Sequence, residues 1–384
     1  MDSGKSRSRL MVEAAIVAAL AIAFVTVVPG ILNATGQAFR VGLLGRFMSL
    51  AIAALGIDLI WGYTGILSLG HGLFFALGGY SLAMFLQLQL APGATGKPVP
   101  DFLILYGVTD VPWIWEPFKS LPFTLVSIVV LPTIVAAILG YLVFRNRIRG
   151  VYFSILTQAA LIVFFNFFNG QQKLINGTNG LKTDTTYLGG QLVSSPIVQA
   201  NFYYLTVLLL VGAYALCRWL TSDRFGKLLI AIRDDEPRVR FSGYDPTVFK
   251  VLVFAVSAGL AGISGALYTV QSGIITPRAM DIAFSIEMVI WVAVGGRGSL
   301  IGAVIGTLLV NFAKSLLSEQ FPAFWLFLQG ALFLAVVTVL PDGIVGWCNV
   351  EGRELWRKLT GKNRVSTYPS LEMNPETDYE RETL

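Results

Sequence analysis

Long apolar runs alternate with short polar connectors along almost the whole chain. Such runs lie near 11–32, 41–61, 64–90, 121–144, 151–169, 201–220, 250–272, 283–296, 298–317 and 323–346. A helix crossing a bilayer needs about 20 predominantly apolar residues. The pattern therefore predicts an all-α integral membrane protein of about ten transmembrane helices (8–10). The run 283–296 is short, and 64–90 is long and broken by glycines. With 298–317, the short run makes either two spans or a re-entrant pair.

The polar connectors differ in charge. With each run crossing once from a cytoplasmic N-terminus, one side holds most of the 28 Lys and Arg. That side carries Lys5, Arg7 and Arg9, then Arg145, Arg147 and Arg149, seven residues from Arg218 to Lys250, Arg297, and six in the tail. Cytoplasmic loops are the ones enriched in Lys and Arg, which predicts N-in, C-in. The expected organisation is a cytoplasmic tail over 1–10, a membrane domain over 11–346 and a polar cytoplasmic tail over 347–384. Two long loops, 91–120 and 170–200, fall outside; the longest inside loop is 221–249. Basic residues before the first apolar run also occur in secretory signals. That run is long for a signal and no clear cleavage site follows, so it reads as an uncleaved span.

Composition agrees with a membrane. Hydrophobic residues make up 55% and charged residues only 13%, against about 25% charged in a soluble domain. The net charge of +5 is spread over connectors, with no basic–aromatic face for nucleic acid. Two cysteines, Cys217 and Cys348, and one histidine leave no disulfide framework and no metal set. The cysteines read as small apolar fillers.

Glycine is abundant where a helix would least want it. The stretch GYTGILSLGHGLFFALGGY, 62–80, contains six glycines and the single histidine. In lipid, small residues let helix backbones approach closely. Ser68, Gly72 and Ala76 fall four apart, as do Ala258, Gly262 and Ala266, and Gly298, Gly302 and Gly306. One stripe does not use all six glycines. Non-helical backbone at membrane depth is tolerated where it lines a polar cavity, so Ser68, His71 and Gly72 are either path-lining or packing residues. GGRGSLIGAVIG, 295–306, has the same texture and raises an internal repeat that its few shared residues do not establish.

The inside loop RWLTSDRFGKLLIAIRDDEPRVRFSGYDPTVFK, 218–250, has its own punctuation. Asp234 and Asp235 precede Pro237, as an N-cap precedes a proline in the first turn. Gly243 is placed to end the helix, and Asp245 with Pro246 starts the next span. The result is a short charged helix, about 236–242, serving either as a solvated connector or as a docking element. Within the spans, Arg46, Asp58 and Glu287 are the clearest charges, and such residues are functional suspects. Arg46 and Asp58 lie about 120° apart round one helix and do not pair. No phosphate-binding loop, dinucleotide fingerprint, nucleophile triad or carboxylate chain occurs, so an enzyme or a self-powered pump is disfavoured.

GYTGILSLGHGLFFALGGY is very similar to a G-x-x-SLGHG-x-F-x-x-x-G-Y segment of the LivM-type permeases of ABC importers. RFGKLLIAIRDDEPRVRFSGYDPTVFKVLVFAVSAGLAGISGALY resembles their cytoplasmic coupling loop and the following span, and AVGGRGSLIGAVIGTLL resembles a third block. The resemblance runs from about 40 to 345. DLIWGYTG, the insertion around VPWIWEPF and FNGQQKLINGTNGLK are most similar to the urea permease subunit within that family.

The resemblance implies a non-enzymatic half-pathway without cofactors in a bacterial inner membrane. It implies a second homologous permease as a heterodimer, two ATPases and a periplasmic urea-binding protein. Urea would be the solute; branched-chain amino acids are the alternative and a passive urea channel a further one. Arg233, Asp234, Asp235, Glu236, Arg238, Arg240 and Gly243 become the ATPase-coupling residues. Pro237 and Arg238 stand where many such permeases have alanines, which leaves the docking register open. Ser68, His71, Gly72, Gln158, Asn166 and Asn179 are the translocation-path candidates. The outside loops 91–120 and 170–200 become the docking surface for the binding protein.

Overall fold

A computed structural model describes residues 39–91, 93–94, 99–148 and 150–320, most of 13–36, and scattered positions from 327 to 347. The tail 1–10, the run 323–346 apart from those positions, and the tail from 348 onwards lie outside the described residues. The described residues up to Val345 belong to one compact unit, and Gly346 and Trp347 to another.

Ten helices of the first unit carry the argument: α1 (Phe39–Thr64), α2 (His71–Gln87), α3 (Leu121–Arg145), α4 (Val151–Gly170), α5 (Pro196–Ser222), α6 (Arg224–Asp234), α7 (Glu236–Phe241), α8 (Pro246–Ser272), α9 (Ile282–Gly295) and α10 (Leu300–Gln320). Six described helices are long and apolar enough to cross a membrane: α1, α3, α4, α5, α8 and α10. Val17–Ile31 and α9 are shorter apolar helices. At 1.5 Å per residue, the 14 residues of α9 cover about 21 Å, less than the ~30 Å apolar layer.

α8 is the hub and packs on α1, α2 and α3. Small residues put it there. A Cβ on Gly78 of α2 would overlap the Gly262 backbone, and one on Gly265 would overlap the Phe75 carbonyl. Gly262 also rests on α3, where its Cβ would meet the Ile128 carbonyl oxygen. That oxygen is available because Pro132 lies inside α3; lacking an N–H, proline cannot bond the carbonyl four residues back. The α9–α10 pair closes in the same manner. Gly306 lies against the Trp291 carbonyl and Gly302 against Gly295, around a turn with positive φ at Gly296 and Gly298.

On α3, α4 and α5 the opposite faces are apolar and exposed, with Ile134, Val163 and Leu208 among them. A span in lipid needs its backbone bonded internally and asks little else of its outer face. At one end of the bundle, β1 (Leu181–Lys182) pairs antiparallel with β4 (Ile274–Ile275), just after α8. β2 (Tyr187–Leu188) and β3 (Gln191–Leu192) form a hairpin closed by Gly189 and Gly190, both at positive φ. Such two-residue turns favour glycine. The segments 101–119 and 171–182 are joined by Trp115 Nε1, which donates to the Leu174 carbonyl at 2.9 Å, and by Tyr106 Oη to Gln172 Oε1 at 3.2 Å.

Candidate functional site

The glycine-rich run does break its helix. α1 ends at Thr64, Gly65 takes φ +72°, and residues 65–70 are non-helical until α2 begins at His71. Backbone groups without partners are costly where water is excluded, and α4 supplies partners. Ser154 Oγ donates to the Leu67 carbonyl at 2.7 Å, and Leu69 N donates to Thr157 Oγ1 at 3.1 Å. Gly65 N still reaches the Trp61 carbonyl at 3.1 Å, and Gly70 N bonds Ser68 Oγ at 3.4 Å. Ser154 and Thr157 went unrecognised in the sequence, because nothing within α4 shows which strand of backbone they face.

His71 is buried, with its Nε2 2.7 Å from Ser257 Oγ on α8. Ser257 has one hydroxyl proton, and it goes to the Gly56 carbonyl at 2.6 Å. The His71 Nε2 is therefore the donor in its own bond. Phe74 and Phe254 meet the imidazole edge-on, with centroids at 5.7 and 6.1 Å. Gly72 N donates to Ser285 Oγ at 3.2 Å. Ser68 is buried too but sits in the broken segment. Ser68, Gly72 and Ala76 therefore do not form one helical stripe, contrary to their four-residue spacing, since the helix that would align them starts only at His71.

The other path candidates lie elsewhere. Gln158 is half-buried on α4, Asn166 is on its exposed face beside Val163 and Phe167, and Asn179 is exposed in the turn Gly177–Asn179. Of the intramembrane charges, Asp58 is fully buried and its Oδ1 accepts from Gly298 N at 2.7 Å. The Arg297 guanidinium stands 5.5 Å from the Trp61 ring centroid. Glu287 on α9 pairs with Lys314 on α10 at 2.7 Å.

α6 and α7 form the charged element. Asp235 caps α7 by accepting from Arg238 N at 3.1 Å, Pro237 sits in the first turn, and Gly243 has φ +87° just beyond the end. Asp245 caps α8 by accepting from Thr247 N at 3.0 Å. The Thr247 backbone and side chain hold its carboxyl below the ordinary value of 3.8. Glu236 is buried between Lys250 at 2.6 Å and Arg240 at 3.0 Å, which fixes α7 to the base of α8. Arg233 turns inward: Nη1 donates to the Gly62 carbonyl at 2.9 Å while Nε bonds Asp234 at 3.0 Å. Phe241 projects from α7, 92% exposed, with Tyr244 exposed beside it.

Between this element and the broken segment lies a cavity of about 320 Å³. Gly65 and Ile66 line it on one side, Arg233 and Glu236 on another, with Phe153 and Lys250 completing the wall. Of the sequence-derived residues, Arg233, Asp234, Asp235 and Glu236 reach it, and Ser68, His71, Gln158, Asn166 and Asn179 do not line it. Among the described residues, no group of three or more His, Cys, Asp or Glu is placed to hold a metal.

The family described as branched-chain amino acid transport system, permease component, matches residues 39–337. The high-affinity branched-chain amino acid transport system permease protein LivM of Salmonella typhimurium is 25% identical over 316 residues, covering 77% of this chain and 67% of that protein. Its Escherichia coli counterpart is 24% identical over the same shares. The E. coli permease protein LivH is 24% identical over 315 residues, covering 78% of this chain and 92% of its own length. No solved structure matches the chain.

Proposed function

The chain belongs to the branched-chain amino acid transport system permease family, and from that membership we propose that α6–α7 is the element through which partner ATPases drive its transport. The family makes it a multi-pass inner-membrane permease of an ABC system rather than an enzyme, with ATPase and substrate-binding partners.

One observation carries the proposal. A short capped helix with an exposed aromatic, Phe241, is fixed by Glu236 to α8 and joined by Arg233 to the break in the bundle. A solvated connector needs none of these ties. Buried aromatics are typical anchors of protein interfaces, so Phe241 and Tyr244 suit insertion into a groove of the ATPase. The run of basic residues from Arg218 to Lys250 supports placing this end in the cytoplasm. The joined segments 101–119 and 171–182 then face outward as the docking surface for a solute-binding protein. A second homologous permease would complete the pathway, whose narrow part we assign to the broken segment, with Ser68, His71 and Gly72 holding its wall. Gln158 and Asn166 on α4 are the assigned polar contacts on the side facing that second permease, and Asn179 lies at the outer mouth.

The relatives' names support a branched-chain amino acid as solute better than urea. Urea is supported by the sequence features DLIWGYTG, VPWIWEPF and FNGQQKLINGTNGLK, the last two of which are the segments joined through Trp115. Uptake of labelled urea and labelled leucine, by cells with and without this gene, decides between them. Gene-dependent urea uptake that excess leucine leaves unchanged identifies a urea importer. Gene-dependent leucine uptake identifies an amino acid importer, and uptake of neither overturns both.

A further inference from the structure

The two contacts that reach the end of α1 meet at one residue. Arg233 holds the Gly62 carbonyl at 2.9 Å. A Cβ on Gly62 would lie 2.6 Å from Gly298 N and 2.6 Å from Asp58 Oδ1, so Gly62 sits directly on the turn between α9 and α10. Asp58, one helical turn earlier on α1, accepts from that same Gly298 N at 2.7 Å. Three residues on, the aliphatic stem of Arg233 closes on Gly65, where a Cβ would lie 2.8 Å from Cγ. No slack separates these groups, and close-packed elements transmit displacement rather than absorb it.

We propose that Arg233, Gly62, Asp58 and Gly298 form a rigid relay, with Arg233 as its positioning residue. The relay carries movement of α6–α7 at once to the 65–70 break and to the α9–α10 turn. The inference rests on the coupling role proposed above, and deepens it by naming the contact through which the motion enters the bundle. Its logic is geometric. The Arg233 guanidinium ties α6 to the Gly62 carbonyl, while the Glu236–Lys250 pair ties α7 to α8. Without Arg233 the ATPases can still dock and turn over, but their motion loses its direct polar link to the end of α1 and enters only through the general packing of the helices.

The test uses the whole importer purified into lipid vesicles, with ATP hydrolysis and labelled-solute uptake measured on the same preparation. Wild-type vesicles are read first: absence of ATP-dependent uptake of either solute overturns the proposed function itself. Arg233→Met keeps the stem against Gly65 and loses the donor. It is expected to hydrolyse ATP within twofold of wild type while uptake per ATP falls at least tenfold. Arg233→Lys restores a donor and returns the ratio to within threefold. Asp58→Leu is expected to lower the ratio as Arg233→Met does, whereas Asp58→Asn, which retains an acceptor oxygen, keeps it. An unchanged ratio in Arg233→Met overturns the relay. So does a parallel fall of hydrolysis and uptake in both Arg233→Met and Asp58→Leu, which makes the contacts structural only.

Discussion

Gly72→Ala adds one methyl group at the start of α2 and probes how tightly the break is enclosed. The new Cβ would lie 2.6 Å from the Ala279 carbonyl oxygen and 2.7 Å from Ser285 Oγ. Ordinary contact begins near 3.4 Å, so each oxygen must retreat by about 0.7–0.8 Å. Ala279 offers backbone, which does not swing aside as a side chain does. Ser285 Oγ is also the acceptor of Gly72 N at 3.2 Å, and its retreat breaks that bond. Overpacking costs about 1–3 kcal/mol, and a lost hydrogen bond about 1 kcal/mol more. Together they predict a loss of roughly 2–4 kcal/mol, the higher figure if the segment holding Ala279 stays fixed. Gly212→Ala on α5 is the matched control: it is exposed, nothing lies within 4 Å of its Cβ, and it should be neutral or slightly stabilising. The assay is the fraction of detergent-solubilised permease still monodisperse after a temperature series. Gly72→Ala should lose its native fraction well below wild type, while Gly212→Ala matches or exceeds it. Equal curves for Gly72→Ala and wild type would refute the packing argument at this helix start.

Three further outcomes follow from the same structure. Asp235→Ala removes the cap of α7, a change worth about 0.5–2 kcal/mol, and should speed amide exchange over 236–241 without altering exchange in α8. Lys314→Met leaves the Glu287 carboxylate in the bundle without its ion-pair partner, and breaking a buried pair costs about 3–5 kcal/mol. With Lys314 38% exposed the lower end applies, and Lys314→Met with Glu287→Leu should regain most of the loss in thermal unfolding. For Asp245 the folded carboxyl titrates below its ordinary value, so its stabilising contribution is present above that value and disappears as pH falls through the folded one. The difference in thermal stability between wild type and Asp245→Ala should therefore be constant near neutrality and shrink as pH falls below the ordinary carboxyl value of 3.8.

Hydropathy made the spans legible because each needs a long apolar run, and the caps of α7 and α8 were legible because Asp–x–Pro, Asp–Pro and glycine signals act within a few residues. The broken segment was only half legible. The glycines signal a break within 64–90, but a hydropathy window sees no backbone angles, so the break is not placed at 65–70 and the four-residue spacing sets Ser68 in line with Gly72. The partners of that backbone, Ser154 and Thr157, lie on another helix and leave no local trace. Arg233 with Gly62, and Asp58 with Gly298, are separated by 171 and 240 residues. Asp58 was visible only as a charge of unknown purpose, and Arg233 only as one of the coupling-loop residues. The same holds for His71, whose partner Ser257 sits in the middle of α8, within a small-residue stretch that reads as packing alone.

The central claim is that this permease works only as part of an ATP-driven machine. The most direct measurement is solute accumulation in vesicles containing the complete importer, with ATP, with a non-hydrolysable analogue, and with neither. Accumulation above the external concentration with ATP alone is the predicted result. Equal downhill flux under all three conditions, stopping at equilibrium, would contradict the account and describe a passive channel.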